Sequence, residues 1–128
     1  ILWCDWSSDV CSSDLADKVI PSYNVPMNYI SGGLDIAKAY ALIGNKARAK
    51  QVLSDVFNNA YQYMQWYNSL DENRFAQSQY DCLRQIYTMN LCLDVAPIID
   101  SKWSDQLMKK FEGSVRVYQE RGGQLPMQ

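Results

Sequence analysis

Apolar residues recur at three- and four-residue spacing over most of this chain, the period of a helix with one buried face. No stretch alternates at period two for long enough to predict a strand. Leu34, Ile36, Ala37, Tyr40, Ala41 and Ile43 make a broad apolar face that stops at Gly44, and Ser31 offers an N-cap before Gly32 and Gly33. A first helix is expected over residues 32–43. Asn45 caps a second, over 46–67, in which Ala49, Val52, Leu53, Val56, Ala60, Tyr63, Met64 and Tyr67 share one side while Lys46, Arg48 and Lys50 face elsewhere. Asp71 as N-cap and Glu72 in the first turn open a third, over 72–93, with Phe75, Gln79, Cys82, Leu83, Ile86, Tyr87 and Asn90 along its stripe. Pro97 interrupts it. Asp100 or Ser101 then starts a fourth helix over 102–120, carrying Trp103, Leu107, Phe111, Val115 and Tyr118 and ended by Gly122-Gly123.

Short connections between such helices predict two antiparallel hairpins, an all-α fold. The expected shared core holds Tyr40, Leu53, Val56, Leu83, Ile86, Trp103, Leu107 and Phe111. Ala37, Tyr40, Gly44, Ala49 and Leu53 fall at the relative spacings of the small, aromatic, turn-glycine, small and large positions of a tetratricopeptide repeat. The four-helix arrangement is therefore expected to be tetratricopeptide-repeat-like, although the second hairpin does not repeat the pattern. Around the helical-hairpin domain, residues 31–121, lie an entry segment at 16–30, extended because of Pro21 and Pro26, and a tail at 122–128 that should fray.

The first fifteen residues, ILWCDWSSDVCSSDL, have no period and lack the basic start and apolar centre of a secretory signal. Back-translated, Asp5 to Leu15 resemble one reading frame of a common sequencing adapter, and residues 1–15 are read as a non-native, adapter-derived segment. Without Asp5, Asp9 and Asp14 the 14 acidic residues become 11 against 12 Lys and Arg, so the body carries about +1. That balance argues against a nucleic-acid partner, which needs a cationic excess. The longest uncharged stretches are broken by Pro, Asn, Gln, Ser and Gly, so no membrane-spanning segment is expected here.

The chain has no His, which removes the commonest general base and metal ligand. Cys82 and Cys92 lie ten positions apart in one expected helix, about 15 Å along its axis, too far to pair with each other. They read as buried core cysteines. The carboxylates are spread along the helices as caps and solvated groups, and Gly32-Gly33 lacks the strand, third glycine and Lys of a phosphate loop. No catalytic residue, cofactor or metal site is assigned. The conspicuous cluster is Tyr61, Tyr63, Trp66 and Tyr67, in which Tyr63 and Tyr67 share a helix face and Trp66 is turned by about 100°. Such rings pack a core with their polar tips at the rim, or stack against a peptide or a sugar ring. Tyr23 and Asn24, beside Tyr29 and Asn28, suit ligand contact or turns equally. The candidate interaction surface is Tyr23, Asn24, Tyr63, Trp66 and Tyr67.

The pattern Pro21-x-Tyr23-Asn24-Val25-Pro26-x-Asn28-Tyr29, then Ser31-Gly32, Ala37-x-x-Tyr40, Gly44 and Tyr63-x-x-Trp66-Tyr67-x-Ser69-Leu70, resembles the C-terminal soluble region of large bacterial multi-spanning membrane proteins. Those proteins are similar to protein O-mannosyltransferases, in the membrane-embedded glycosyltransferase superfamily. The likeness runs from Pro21 to Tyr118; Gln79-Tyr80-Asp81 and the Gly-Gly tail depart from it. It implies a non-catalytic tail whose partner is its own upstream membrane region, with the donor site and catalytic acid in that region. It further implies a periplasmic location on an inner-membrane parent and a role as scaffold or platform for an acceptor protein or peptide. The alternative from the residues is a free-standing helical-repeat module that binds a peptide. A small enzyme is the third reading.

Overall fold

The computed structural model describes residues 29–126, and all of their regular structure is helical. Five helices follow one another: α1 (Tyr29–Leu42), α2 (Lys46–Ser69), α3 (Glu72–Gln77), α4 (Gln79–Ile99) and α5 (Ser101–Glu120). Residues 1–15 and the pair Tyr23 and Asn24 lie outside the described residues. The chain divides into two compact units, Ile1–Val56 and Phe57–Gln128, with α2 running through the boundary.

In the first unit α1 starts at Tyr29, three residues before the expected start, and carries Ser31 inside the helix instead of at its cap. Pro26 restricts only the residue before it, so nothing in its chemistry delays a helix beyond Met27. The far end behaves as the sequence requires. Gly44 takes φ 85°, its N–H donates to the Ala41 carbonyl at 3.2 Å, and Asn45 N–H reaches back to the Tyr40 carbonyl at 2.9 Å. Those two bonds are a Schellman motif, with glycine at the one position where a β-carbon collides with the backbone. Asn45 then caps α2, its Oδ1 accepting from Arg48 N–H at 3.2 Å. Among the described residues of this unit the buried side chains are Leu34, Ala37, Tyr40, Ala49, Val52, Leu53 and Val56.

The second unit begins with the fully buried Phe57, Ala60 and Met64 of α2. Asp71 caps α3 by accepting from Arg74 N–H at 3.0 Å. The expected third helix is two helices, because Ser78 breaks it. The Ser78 hydroxyl donates back to the Arg74 carbonyl at 2.7 Å and its N–H is shared between the Arg74 and Phe75 carbonyls, so the side chain closes α3 and makes no capping bond to α4. Helix α4 then runs to Ile99, carrying Pro97 within its last turn, where the expected third helix stopped at Leu93. A proline this near a helix end removes one intrahelical bond and leaves the preceding ladder whole. Asp100, the single residue between α4 and α5, caps α5 by accepting from Lys102 and Trp103 N–H at 3.0 and 3.2 Å.

That one-residue link folds α5 back against α4, and the two helices pack together. The residues buried on α5 are Ser104, Leu107, Ser114 and Tyr118, with Trp103, Phe111 and Val115 half-buried beside them. A search for large apolar residues therefore finds Leu107 and Tyr118 and passes over Ser104 and Ser114, each one position from the expected stripe. The small size of the two serines suits close approach of α5 to its neighbours. The Ser114 hydroxyl meets Gln65 Nε2 at 3.4 Å, and its carbonyl accepts from Asn68 Nδ2 at 3.3 Å, tying α5 to α2. On α4 the buried face holds Cys82, Ile86, Thr88, Met89, Cys92, Leu93, Val95, Ala96 and Ile99, while Leu83 is half-buried and Tyr87 and Asn90 are exposed, off the expected stripe. Thr88 satisfies its buried hydroxyl on the Arg84 carbonyl at 2.8 Å, one turn back.

Gly113 sits exposed inside α5, and a β-carbon added there meets nothing within 4 Å. Gly113→Ala should stabilise the protein by about 1 kcal/mol, raising the melting temperature by roughly 3 to 6 °C. A lower melting temperature for this variant would contradict the placement of Gly113 on the open side of α5.

Candidate functional site

The last three turns of α2 carry the aromatic cluster. The Tyr63 and Tyr67 rings, one turn apart, lie 6.4 Å between centroids and 27° from parallel, and Trp66 tilts against Tyr67 at 4.9 Å and 54°. The three rings thus form one continuous surface, although the helix turns Trp66 away from the Tyr63–Tyr67 side. Trp66 is 55% exposed and Tyr63 45%, while Tyr67 is half-buried. Core packing accounts for Tyr67 alone. Burial, followed by the Asp81 carboxylate, raises the Tyr67 phenol above its ordinary pKa, so it remains a neutral donor at any physiological pH. Tyr61, the fourth ring of the cluster in sequence, turns elsewhere: it stacks on Phe57 at 6.4 Å and receives the Lys110 ammonium at 5.7 Å from its centroid.

The end of α2 is fixed by a residue that sequence reading does not single out. Arg121, just past α5, donates through Nη1 to the Asn68 carbonyl at 2.6 Å and to the Tyr67 carbonyl at 3.4 Å, and through Nη2 to the Leu70 carbonyl. The same guanidinium lies 4.3 Å from the Phe75 ring centroid, and Phe75 meets Tyr118 edge-on at 5.8 Å. A positive charge at the C-terminal end of a helix is favourable in itself, and here it also satisfies carbonyls left without intrahelical partners. The backbone beneath the three rings is therefore held by a contact more than fifty residues away in sequence. A single Arg just before the Gly122-Gly123 stop gives no sign of that role.

A concave feature lies between α4 and α5, a groove of about 460 Å³ lined by Leu83, Ile86, Tyr87, Asn90, Phe111 and Val115, with Leu125 and Pro126 of the tail. Leu83 and Phe111 were expected in the core and instead line this groove, both half-buried. Helical periodicity identifies an apolar face and says nothing about whether a neighbour covers it.

Burial raises the Cys92 thiol to about 12, and burial together with the Asp81 carboxylate raises Cys82 to about 11, so both stay protonated and weakly nucleophilic near neutral pH. Both are free and buried, in keeping with the reading of core cysteines. Among the described residues no group of three or more His, Cys, Asp or Glu could hold a metal ion, and no helix is long and apolar enough to cross a membrane. Comparison with known proteins finds no matching family, no matching curated protein and no matching solved structure.

Proposed function

We propose that this chain is a non-catalytic helical platform that holds an acceptor protein or peptide beside the membrane-embedded active site of a glycosyltransferase-like parent. The observation that carries the contact role is the continuous Tyr63, Trp66 and Tyr67 surface, with two of its rings about half exposed on a helix end braced by Arg121. Aromatic rings held rigidly at a surface supply contact area at low entropic cost and stack equally on peptide groups and on sugar faces. The parent, and with it a periplasmic location, is supported by the likeness of residues 21–118 to the tails of protein O-mannosyltransferase-like membrane proteins. In that setting the donor and the catalytic acid belong to the membrane portion, and this chain contributes position.

A second reading, a free-standing helical-repeat interaction module, draws on the first unit. There the small residues Ala37 and Ala49 are fully buried on either side of the Gly44 turn, as a tetratricopeptide repeat requires.

The two readings separate on the genomic reading frame upstream of Ala16. Several long apolar spans there are expected. A frame without them overturns the membrane-enzyme reading and leaves the repeat module. The platform role is tested in the intact parent, in membranes supplied with a lipid-linked sugar donor. Trp66→Ala together with Tyr63→Ala should raise the acceptor KM severalfold with little change in kcat. Sugar transfer catalysed by the isolated chain, or an unchanged acceptor KM in the double variant, would contradict it.

A further inference from the structure

The tail after α5 closes on the chain itself. Gly122 takes φ 84°, its N–H donates to the Gln119 carbonyl at 2.9 Å, and Gly123 N–H returns to the Tyr118 carbonyl at 2.9 Å, a second Schellman turn. Gly123 then rests on the Tyr118 ring so closely that a β-carbon there has no room. The Tyr118 hydroxyl donates to the Gln124 carbonyl at 3.2 Å, and the next two residues, Leu125 and Pro126, form one wall of the groove between α4 and α5. Three consecutive contacts therefore steer the tail to the mouth of a groove whose other walls include Ile86, Tyr87, Phe111 and Val115.

We propose that this groove is a peptide-docking site and that residues 124–126 are a displaceable strap along its mouth, tethered at Tyr118. The segment that borders the groove sets the ligand chemistry: extended, uncharged, and carrying a Leu-Pro pair. Proline suits an apolar groove because it has no N–H to leave unpaired and little conformational freedom to lose. The grip is light, since one neutral hydrogen bond holds the segment and Leu125 keeps 37% of its surface in solvent. Tethering compensates for that weakness. A link of a few residues gives the strap an effective concentration of about a millimolar, so an external segment of the same chemistry competes poorly until the strap is removed. The groove is separate from the aromatic surface on α2, so the proposal stands independently of the acceptor-platform reading.

The test uses the acetylated peptide Gln-Leu-Pro-Met-Gln, identical to residues 124–128. It is titrated into the full chain, a chain ending after Gly123, and full-length Leu125→Asp, with methyl resonances of Ile86 and Val115 as the readout. The shortened chain and Leu125→Asp should bind at least about twofold more tightly than the full chain, as a strap at about a millimolar effective concentration with a Kd of that order requires, with shifts confined to groove residues. Equal affinity in all three, or no binding to a shortened chain whose circular dichroism is that of the full chain, overturns the proposal. Should the shortened chain fail to fold, Leu125→Asp decides: binding tighter than the full chain sustains the strap, and unchanged binding or none removes it.

Discussion

Replacing Tyr118 with alanine is expected to lower the melting temperature by about 10 to 25 °C, from a loss of about 3 to 5 kcal/mol at roughly 3 to 6 °C per kcal/mol for a chain of this size. Tyr118 is fully buried, meets Phe75 edge-on at 5.8 Å, supports Gly123 on its ring, and spends its hydroxyl on the Gln124 carbonyl. Alanine leaves a cavity bounded by all of these groups, and a face formed by three elements has little means of collapsing into it. Phenylalanine preserves the volume and loses only one neutral hydrogen bond, about 1 kcal/mol. Thermal unfolding followed by circular dichroism separates the two variants. An alanine variant within 1 kcal/mol of the parent would show that the ring is not a structural centre of the second unit.

The second large effect is at Arg121, where Arg121→Met should cost about 2 to 3 kcal/mol, consistent with losing hydrogen bonds to a charged donor while keeping most of the apolar stem. The Asn68 and Leu70 carbonyls lose this partner together, while that of Tyr67 keeps the Leu70 N–H at 3.2 Å. Lysine should recover only part of the loss. Its ammonium has no planar fork with which to bridge several carbonyls while lying on the Phe75 ring. Denaturant unfolding of the three proteins gives the order Arg, Lys, Met in midpoint. Added salt should change the differences little, because the contact is partly buried and screening acts mainly on exposed charges. Equal midpoints for Arg and Met would mean that the guanidinium contributes nothing to this end of α2.

The helical class was legible in the sequence because periodicity and punctuation agree. Gly44, Asn45, Asp71, Asp100 and Gly122 each perform the turn or cap that their chemistry suggests. What escaped was tertiary in origin. Ser78 divides a helix because its hydroxyl bonds backward, a choice that competes evenly with capping forward until the surroundings decide. Pro97, four residues after the expected end at Leu93, is tolerated because it falls in a last turn whose position is set by the Asp100 cap. Ser104 and Ser114 occupy the contact face of α5, where polarity reads as outward and small size counts for more. Of the candidate site, the proximity of Tyr63 and Tyr67 followed from their four-residue spacing. The tilt of Trp66 onto Tyr67 and the brace from Arg121 are not written in local sequence, since one depends on rotamers and the other on a contact across more than fifty residues.

The two left-handed glycines also limit how this sequence can drift. At Gly44 and Gly122, with φ of 85° and 84°, the next best residue is asparagine, and a β-branched side chain is the worst. Asparagine codons lie at least two nucleotide changes from any glycine codon. The single-step neighbours are Ala, Val, Ser, Arg, Cys, Asp, Glu and Trp, and all carry a β-carbon, at a cost of about 1 to 2 kcal/mol in this backbone region. Against the 5 to 15 kcal/mol that separates most folded proteins from unfolding, such an intermediate is a substantial handicap. Gly123 is restricted for a different reason, the Tyr118 ring beneath it. Among descendants of this gene, positions 44, 122 and 123 should therefore stay glycine over distances at which the exposed helix faces have been rewritten.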